Sequence, residues 1–326
     1  MNKKSGVHAT GNRPPTSGEV AHLRPAALIG LLHSLVTITC FVVGIGLSLS
    51  GTLFIYLLGQ VVLALGFIHA FVLLHEAGHD TLFPLRGINR IVGHVAGFLT
   101  LLPFWSWQRI HARHHHYTGW QDLDATTAPL VPRPIGSVER RCINLVWSTW
   151  LPVFALIYRI QNYWNLPRVE RYITNPKNRR RIRINTLVLV AAYAVILVWI
   201  GPLEVLRLAG PGFFLSLVIQ EMVIMSQHTH VPQRLSRGQD VKAFSPLEQE
   251  LFTRSLRLPA WFSLFLMHFD AHELHHIYPQ VPGYRLRQID YRPAHEVHWW
   301  RWVKAVRGLD GTDFLFKNWD ETGVRL

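Results

Sequence analysis

The chain has 326 residues, enough for one large domain with a real core. Lys and Arg number 33 against 20 Asp and Glu, a formal net charge of +13, yet only 16% of residues are charged, against roughly 25% in an average soluble domain. With 49% hydrophobic residues and a mean hydropathy of +0.16, these values exclude a disordered chain, a collagen-like chain and a disulfide-stapled module, and they argue against an ordinary soluble enzyme.

Residues 1–25 are polar and rich in Pro, Gly and Ser, and read as a mobile tail. Four apolar runs follow, at 26–48, 52–74, 185–201 and 212–225. About 20 apolar residues span a bilayer as a helix, so the first two suffice alone. The third and fourth suffice with a turn borrowed at each end. The first run is too long for a cleaved signal peptide, and no small-x-small site follows a basic start. Two weaker stretches, 88–107 and 143–160, contain Pro, Trp and polar residues and read as helices lying in the interface or packed on the bundle. Residues 291–326 read as a C-terminal tail, with the Trp-rich HEVHWWRWV stretch as an interfacial helix.

Basic residues set the expected orientation. With four spans, 32 of the 33 Lys and Arg fall on one side and only Arg207 on the other. By the positive-inside tendency, both termini and the large loops are expected in the cytoplasm. No nucleic-acid module is visible, so the charge reads as topology and contact with anionic lipid. The two cysteines, Cys40 and Cys142, offer no disulfide framework and no Cys-based zinc site.

Nineteen histidines remain. His75 and His79 stand at i and i+4 where the second run ends, a spacing that puts both imidazoles on one helix face. His111, His114 and His115 form a His-x2-His-His group, and His272, His275 and His276 repeat it. His228 follows the fourth run. All lie on the same side of the predicted membrane. A mononuclear zinc site uses three or four protein ligands, so eight or nine imidazoles suffice for two metal ions. Imidazole suits Fe, Cu, Zn and Ni, and spacing alone does not choose among them. His33, His69, His94, His116, His295 and His298 read as packing or surface histidines, and His268 as a neighbour that supports the ligands.

These groups, in this order after the second and fourth runs, resemble the three histidine boxes of the membrane-bound fatty acid desaturase and hydroxylase superfamily. Thr118-Gly119 followed by Asp122-Leu123-Asp124 resembles that family's exit from its second box, and Tyr278-Pro279-x-Val281-Pro282 its exit from the third. The resemblance covers 26 to about 290. It implies an all-α polytopic membrane fold with four transmembrane helices and a cytoplasmic helical cap carrying a dinuclear site. It implies two iron ions held by His75, His79, His111, His114, His115, His272, His275 and His276, with His228 as an extra ligand and His230 as its competitor. The implied reaction uses dioxygen and two electrons from a ferredoxin or cytochrome-type donor to desaturate a fatty acyl lipid or acyl thioester. Hydroxylation, or ketolation of a carotenoid, is the alternative within the superfamily. Glu76 stands where Asp is common and Gly119 where Asn is common. No His-Pro-Gly-Gly haem segment is present, so the donor is expected to be a separate protein. His75-Glu76-x-x-His79 also matches the zinc protease pattern, with Asp310 as the only Asp-Gly third ligand, but that reading leaves six clustered histidines unused.

Overall fold

The computed structural model describes residues 13–326. Among them, four helices are long and apolar enough to cross a membrane: α1 (Ala27–Ser48), α2 (Leu53–Gly78), α8 (Pro176–Ile200) and α9 (Pro202–His228). They coincide with the four apolar runs and extend the last two. Leu28, Val42, Phe54, Val198 and Trp199 on these helices are exposed, a belt that suits lipid and not water.

Small residues let the spans approach closely. A Cβ on Gly44 would lie 2.7 Å from Leu63, and one on Gly212 2.8 Å from the Gln60 carbonyl. Gln60 ties three helices together, donating to Ser48 Oγ at 2.8 Å and the Leu208 carbonyl at 2.9 Å while its Oε1 accepts from Gly212 N–H at 2.8 Å. α8 and α9 join at Gly201, whose φ of +87° suits a residue without Cβ.

The remaining chain builds a cap at the end of the spans where α2 and α9 finish. Neither weak apolar stretch is one helix. The first breaks at Thr100–Pro103 into α3 (Arg86–Leu99) and α4 (Phe104–Tyr117). The second breaks around Pro152 into α5 (Ser137–Ser148) and α6 (Val153–Arg159), which a π-helical turn carries on to Trp164 at 111° to α5. Short helices α7 (Leu166–Arg171), α10 (Ala260–Phe265), α11 (His272–Ile277) and α12 (Gly283–Leu286) follow, with α13 (Trp299–Val306), α14 (Gly311–Phe316) and α15 (Trp319–Thr322) at the end. One parallel strand pair, β1 (Ser255–Arg257) and β2 (Glu296–His298), aligns Leu256 with Val297.

Both tails differ from expectation. Residues 1–12 of the N-terminal tail lie outside the described residues. Residues 13–25 are packed: Val20 and Leu23 bury against Leu274, Ile277 and Leu286, and Tyr278 Oη donates to the Pro15 carbonyl at 2.6 Å. Two apolar residues in a polar segment suffice to dock it. Residues 291–326 belong to the cap. Trp302, Val306 and Phe314 are fully buried with Trp147, Met222 and Leu256. The segment read as one interfacial helix is therefore β2 followed by α13, which buries Trp302 and exposes Trp300.

Candidate metal centre

Four elements bring the histidines together. The last turn of α2 carries His75, and His79 caps that helix. The i, i+3, i+4 spacing on α4 and on α11 puts three imidazoles on one face of each, and α9 ends on His228. Eight of the nine predicted residues fall into two groups of four. His75, His79, His111 and His275 form one, and His114, His228, His272 and His276 the other, with one ring nitrogen from each member within 4.8 Å of the rest. His115 lies between them. Its Nε2 is 3.2 Å from His111 Nε2 and 3.0 Å from His275 Nε2, and its ring stacks on His276 at 4.4 Å.

Outer groups fix the rings. His75 Nδ1–H donates to Glu76 Oε1 at 3.0 Å, and Glu76 Oε2 accepts from Thr81 Oγ1 at 2.9 Å and Gly283 N–H at 2.8 Å. His114 Nδ1–H donates to Asp124 Oδ2 at 2.7 Å, while Asp124 Oδ1 accepts from the Thr126 N–H and hydroxyl, both at 2.9 Å. His276 Nδ1–H donates to Gln249 Oε1 at 2.8 Å, and His228 Nδ1–H to the Phe252 carbonyl at 3.1 Å. Each partner only accepts, so each sets the Nδ1–H tautomer and leaves a bare Nε2 lone pair facing inward.

The Nε2 atoms of the group converge. His111 Nε2 is 2.8 Å from His79 Nε2, and His272 Nε2 is 2.8 Å from His228 Nε2 and 3.0 Å from His276 Nε2. His75 Nε2 is buried without any hydrogen-bond partner. At these separations a proton or a cation must lie between each pair of ring nitrogens, and a metal ion can replace the proton. Burial, and then the neighbouring imidazoles, push the pKa values of His111, His115, His272, His275 and His276 well below the ordinary value. Neutral imidazole is the form that binds metal. Burial raises the Asp124 carboxyl, but His114 and Thr126 outweigh it and hold it below its ordinary value. The residues present therefore fit a pair of metal ions.

The other histidines sit elsewhere. His230 meets Thr322 Oγ1 at 2.6 Å and belongs to neither group. His268 bonds Ser263 Oγ at 2.9 Å. His33 meets His69 at 3.1 Å, and His69 meets Thr37 at 2.6 Å, between α1 and α2. Asp310 precedes α14 in the cap, away from both groups of four. Sequence reading assigned no role to Asp124 or Gln249. Asp124 was visible as part of the Asp-x-Asp run; nothing marked Gln249, which folds in from 27 residues before His276.

A cavity opens beside the histidines. His75, His111, His114, His228 and His272 meet Phe71, Leu102, Trp107, Ile224 and Phe269 along its wall. The wall is mostly apolar, which suits an apolar ligand.

Fold and site together define a helical membrane protein with a buried, histidine-rich place for two metal ions at one end of its spans. Residues 25–304 match the family described as fatty acid desaturase, and the chain belongs to that family. It is 28% identical over 256 residues to the fatty acid desaturase of Bacillus subtilis, which covers 74% of this chain and 68% of the relative. It is 28% identical over 229 residues to the endoplasmic-reticulum omega-3 fatty acid desaturase of Vigna radiata, covering 66% and 58%. It is 27% identical over 232 residues to an Arabidopsis thaliana protein named acyl-lipid omega-3 desaturase (cytochrome b5), covering 66% and 58%. The match thus spans less than two thirds of the length of these two plant relatives.

Proposed function

We propose that the chain is an oxygen-dependent fatty acyl desaturase in which His75, His79, His111 and His275 hold one iron ion, His114, His228, His272 and His276 hold a second, and His115 completes the site from between them. The convergence of two groups of four imidazoles beside an apolar cavity carries this reading. Iron, when bound, supplies the dioxygen chemistry that removes hydrogen from an unactivated C–H bond. Overall, one saturated carbon pair, dioxygen, two electrons and two protons give one double bond and two waters.

The chain's own residues set where this happens. Phe71, Leu102, Ile224 and Phe269 line the cavity with hydrocarbon, which favours an acyl chain and excludes bulk water. Glu76, Asp124 and Gln249 hold the imidazoles. Glu76 does not act as a hydrolytic base, because both its oxygens are occupied by His75, Thr81 and Gly283. The substrate is an acyl chain carried on a lipid, by analogy with the acyl-lipid relative. Electrons come from a cytochrome b5 or ferredoxin-type donor, by analogy with the relatives whose names carry those donors. The basic asymmetry supports a cytoplasmic metal centre.

The test is lipid profiling of cells expressing the chain, with and without oxygen, beside His114→Ala and His275→Ala. Wild type should add unsaturated acyl chains only with oxygen, and both variants should add none. About two iron ions per purified chain should fall to one or fewer in each variant. Products carrying a new hydroxyl or keto group in place of a double bond would transfer the assignment to the hydroxylase branch.

A further inference from the structure

Three helices meet on the face of α4 turned away from the histidines. Trp105 N–H donates to Asn185 Oδ1 at 3.1 Å, Asn185 Nδ2 donates to His94 Nδ1 at 3.4 Å, and the His94 and Trp105 rings are 5.7 Å apart. From this hub, an arginine stands one helical turn away on each helix: Arg90 on α3, Arg109 on α4 and Arg181 on α8. The Arg181 guanidinium lies over the Trp105 ring at 5.4 Å. Arg109 is half-buried, and its Nε is sealed from solvent without a hydrogen-bond partner. Burial, and then the charges of Arg181 and Arg90, push its pKa down. Among the described residues, none of the three pairs with a carboxylate.

Three mutually repelling cations with an unsatisfied buried donor call for an anion. The surroundings say which. α8 enters the membrane one turn beyond Arg181, and Ile91 and Val95 of α3 and Ile184 and Leu187 of α8 are exposed beside the cluster. An occupant that meets charge at one end and apolar helix surface beyond it is a lipid. We propose that Arg90, Arg109 and Arg181 bind the phosphate of an anionic membrane phospholipid whose tails lie along α3 and α8. Trp105 and Arg109 share one face of α4 while Trp107 and His111 share the other, so this lipid is not the substrate in the cavity. It braces from behind the helix that carries three of the histidines. The site depends on the membrane fold and not on the reaction assigned to the metals.

The test uses the full chain, purified and delipidated in a neutral maltoside detergent. Phosphatidylglycerol, phosphatidylcholine and inorganic phosphate are titrated separately, and binding is read by native mass spectrometry and thermal unfolding. Phosphatidylglycerol should bind and raise the unfolding midpoint, phosphatidylcholine less so, and inorganic phosphate not at all. Arg109→Gln should weaken phosphatidylglycerol binding by about tenfold, the worth of one lost charge-assisted hydrogen bond. Without lipid, the same variant should unfold no lower than wild type, because a repulsion has been removed. Arg181→Gln, at an exposed position, should repeat the loss should Arg109→Gln fold poorly. Arg237→Gln, in another loop, should leave binding unchanged. Equal binding by wild type and by the Arg109 and Arg181 variants would overturn the proposal. So would inorganic phosphate matching the lipid, which would make the cluster a site for a free anion.

Discussion

Glu76 holds three partners from three places with two oxygens: the His75 ring beside it, the Thr81 hydroxyl beyond the helix end and the Gly283 N–H from more than 200 residues away. An amide in its place keeps one acceptor and adds a donor that faces donors. Glu76→Gln should therefore lose about 10–100-fold in metal affinity or activity, the usual cost of removing a residue that orients a ligand. Glu76→Asp keeps the carboxylate and should retain substantial oxygen-dependent activity. Product formation from a labelled acyl chain, with and without oxygen and reductant, separates this from hydrolysis, for which Glu76→Gln would be dead and oxygen irrelevant. Asp124→Asn should act like Glu76→Gln, because it removes the charge that fixes the His114 tautomer. The convergence of the three spaced histidine groups was legible because helix geometry puts i, i+3 and i+4 imidazoles on one face, and His228 was legible only from its place after the fourth run. Their outer partners were not, since a single Gln or a backbone carbonyl carries no spacing to recognise.

At the scale of elements, the four spans were legible because a bilayer demands some 20 apolar residues in register with nothing else. The breaks within 88–107 and 143–160 were harder to read, for they depend on residues held at positive φ, Leu101 and Trp150, where tertiary packing overrides helix continuity. The pairing of Ser255 with Glu296 joins segments about forty residues apart through three residues each, too short for a period-two pattern to show. Gly119 is a departure from the family pattern that the structure explains. Its φ is +98°, and a Cβ there would lie 2.6 Å from both Phe244 and Phe252. The turn it makes also exchanges a hydrogen bond with Arg234, joining the run after α4 to the loop after α9. Gly119→Asn, which restores the commoner residue, should cost about 1–3 kcal/mol from strain and overpacking. A lowered unfolding midpoint together with weaker metal retention is the expected result; an unchanged midpoint would mean that the two phenylalanines give way freely.

At the scale of the whole molecule, the distribution of 32 basic residues to one side predicts that the turns near Gly51 and Gly201 face outward. With Cys40 and Cys142 replaced, single cysteines at those turns should react with an impermeant maleimide from outside, and one at His116 should not. The whole fold should also be acid-sensitive in a way the histidines determine. The folded chain holds His79, His111, His115, His272, His275 and His276 well below the ordinary value, by burial first and like neighbours second. An unfolded histidine titrates near 6.5. Above that pH these imidazoles are uncharged in both states and add no slope. Below it the unfolded chain binds protons that the metal-free folded chain refuses, so stability falls, by up to about 1.4 kcal/mol per pH unit for each such group. The fall continues until the depressed folded pKa values are reached. Protons also compete with metal for the same nitrogens, so metal should leave over the same range. Thermal unfolding of the metal-free protein in detergent should therefore drop steeply below about pH 6.5, with a slope larger than one group can give, even after the buried Glu273 carboxyl, raised to about 8, offsets one group's share. A midpoint that stays level down to pH 5 would mean that the clustered imidazoles accept protons as readily folded as unfolded, and the buried neutral cluster described here would be wrong.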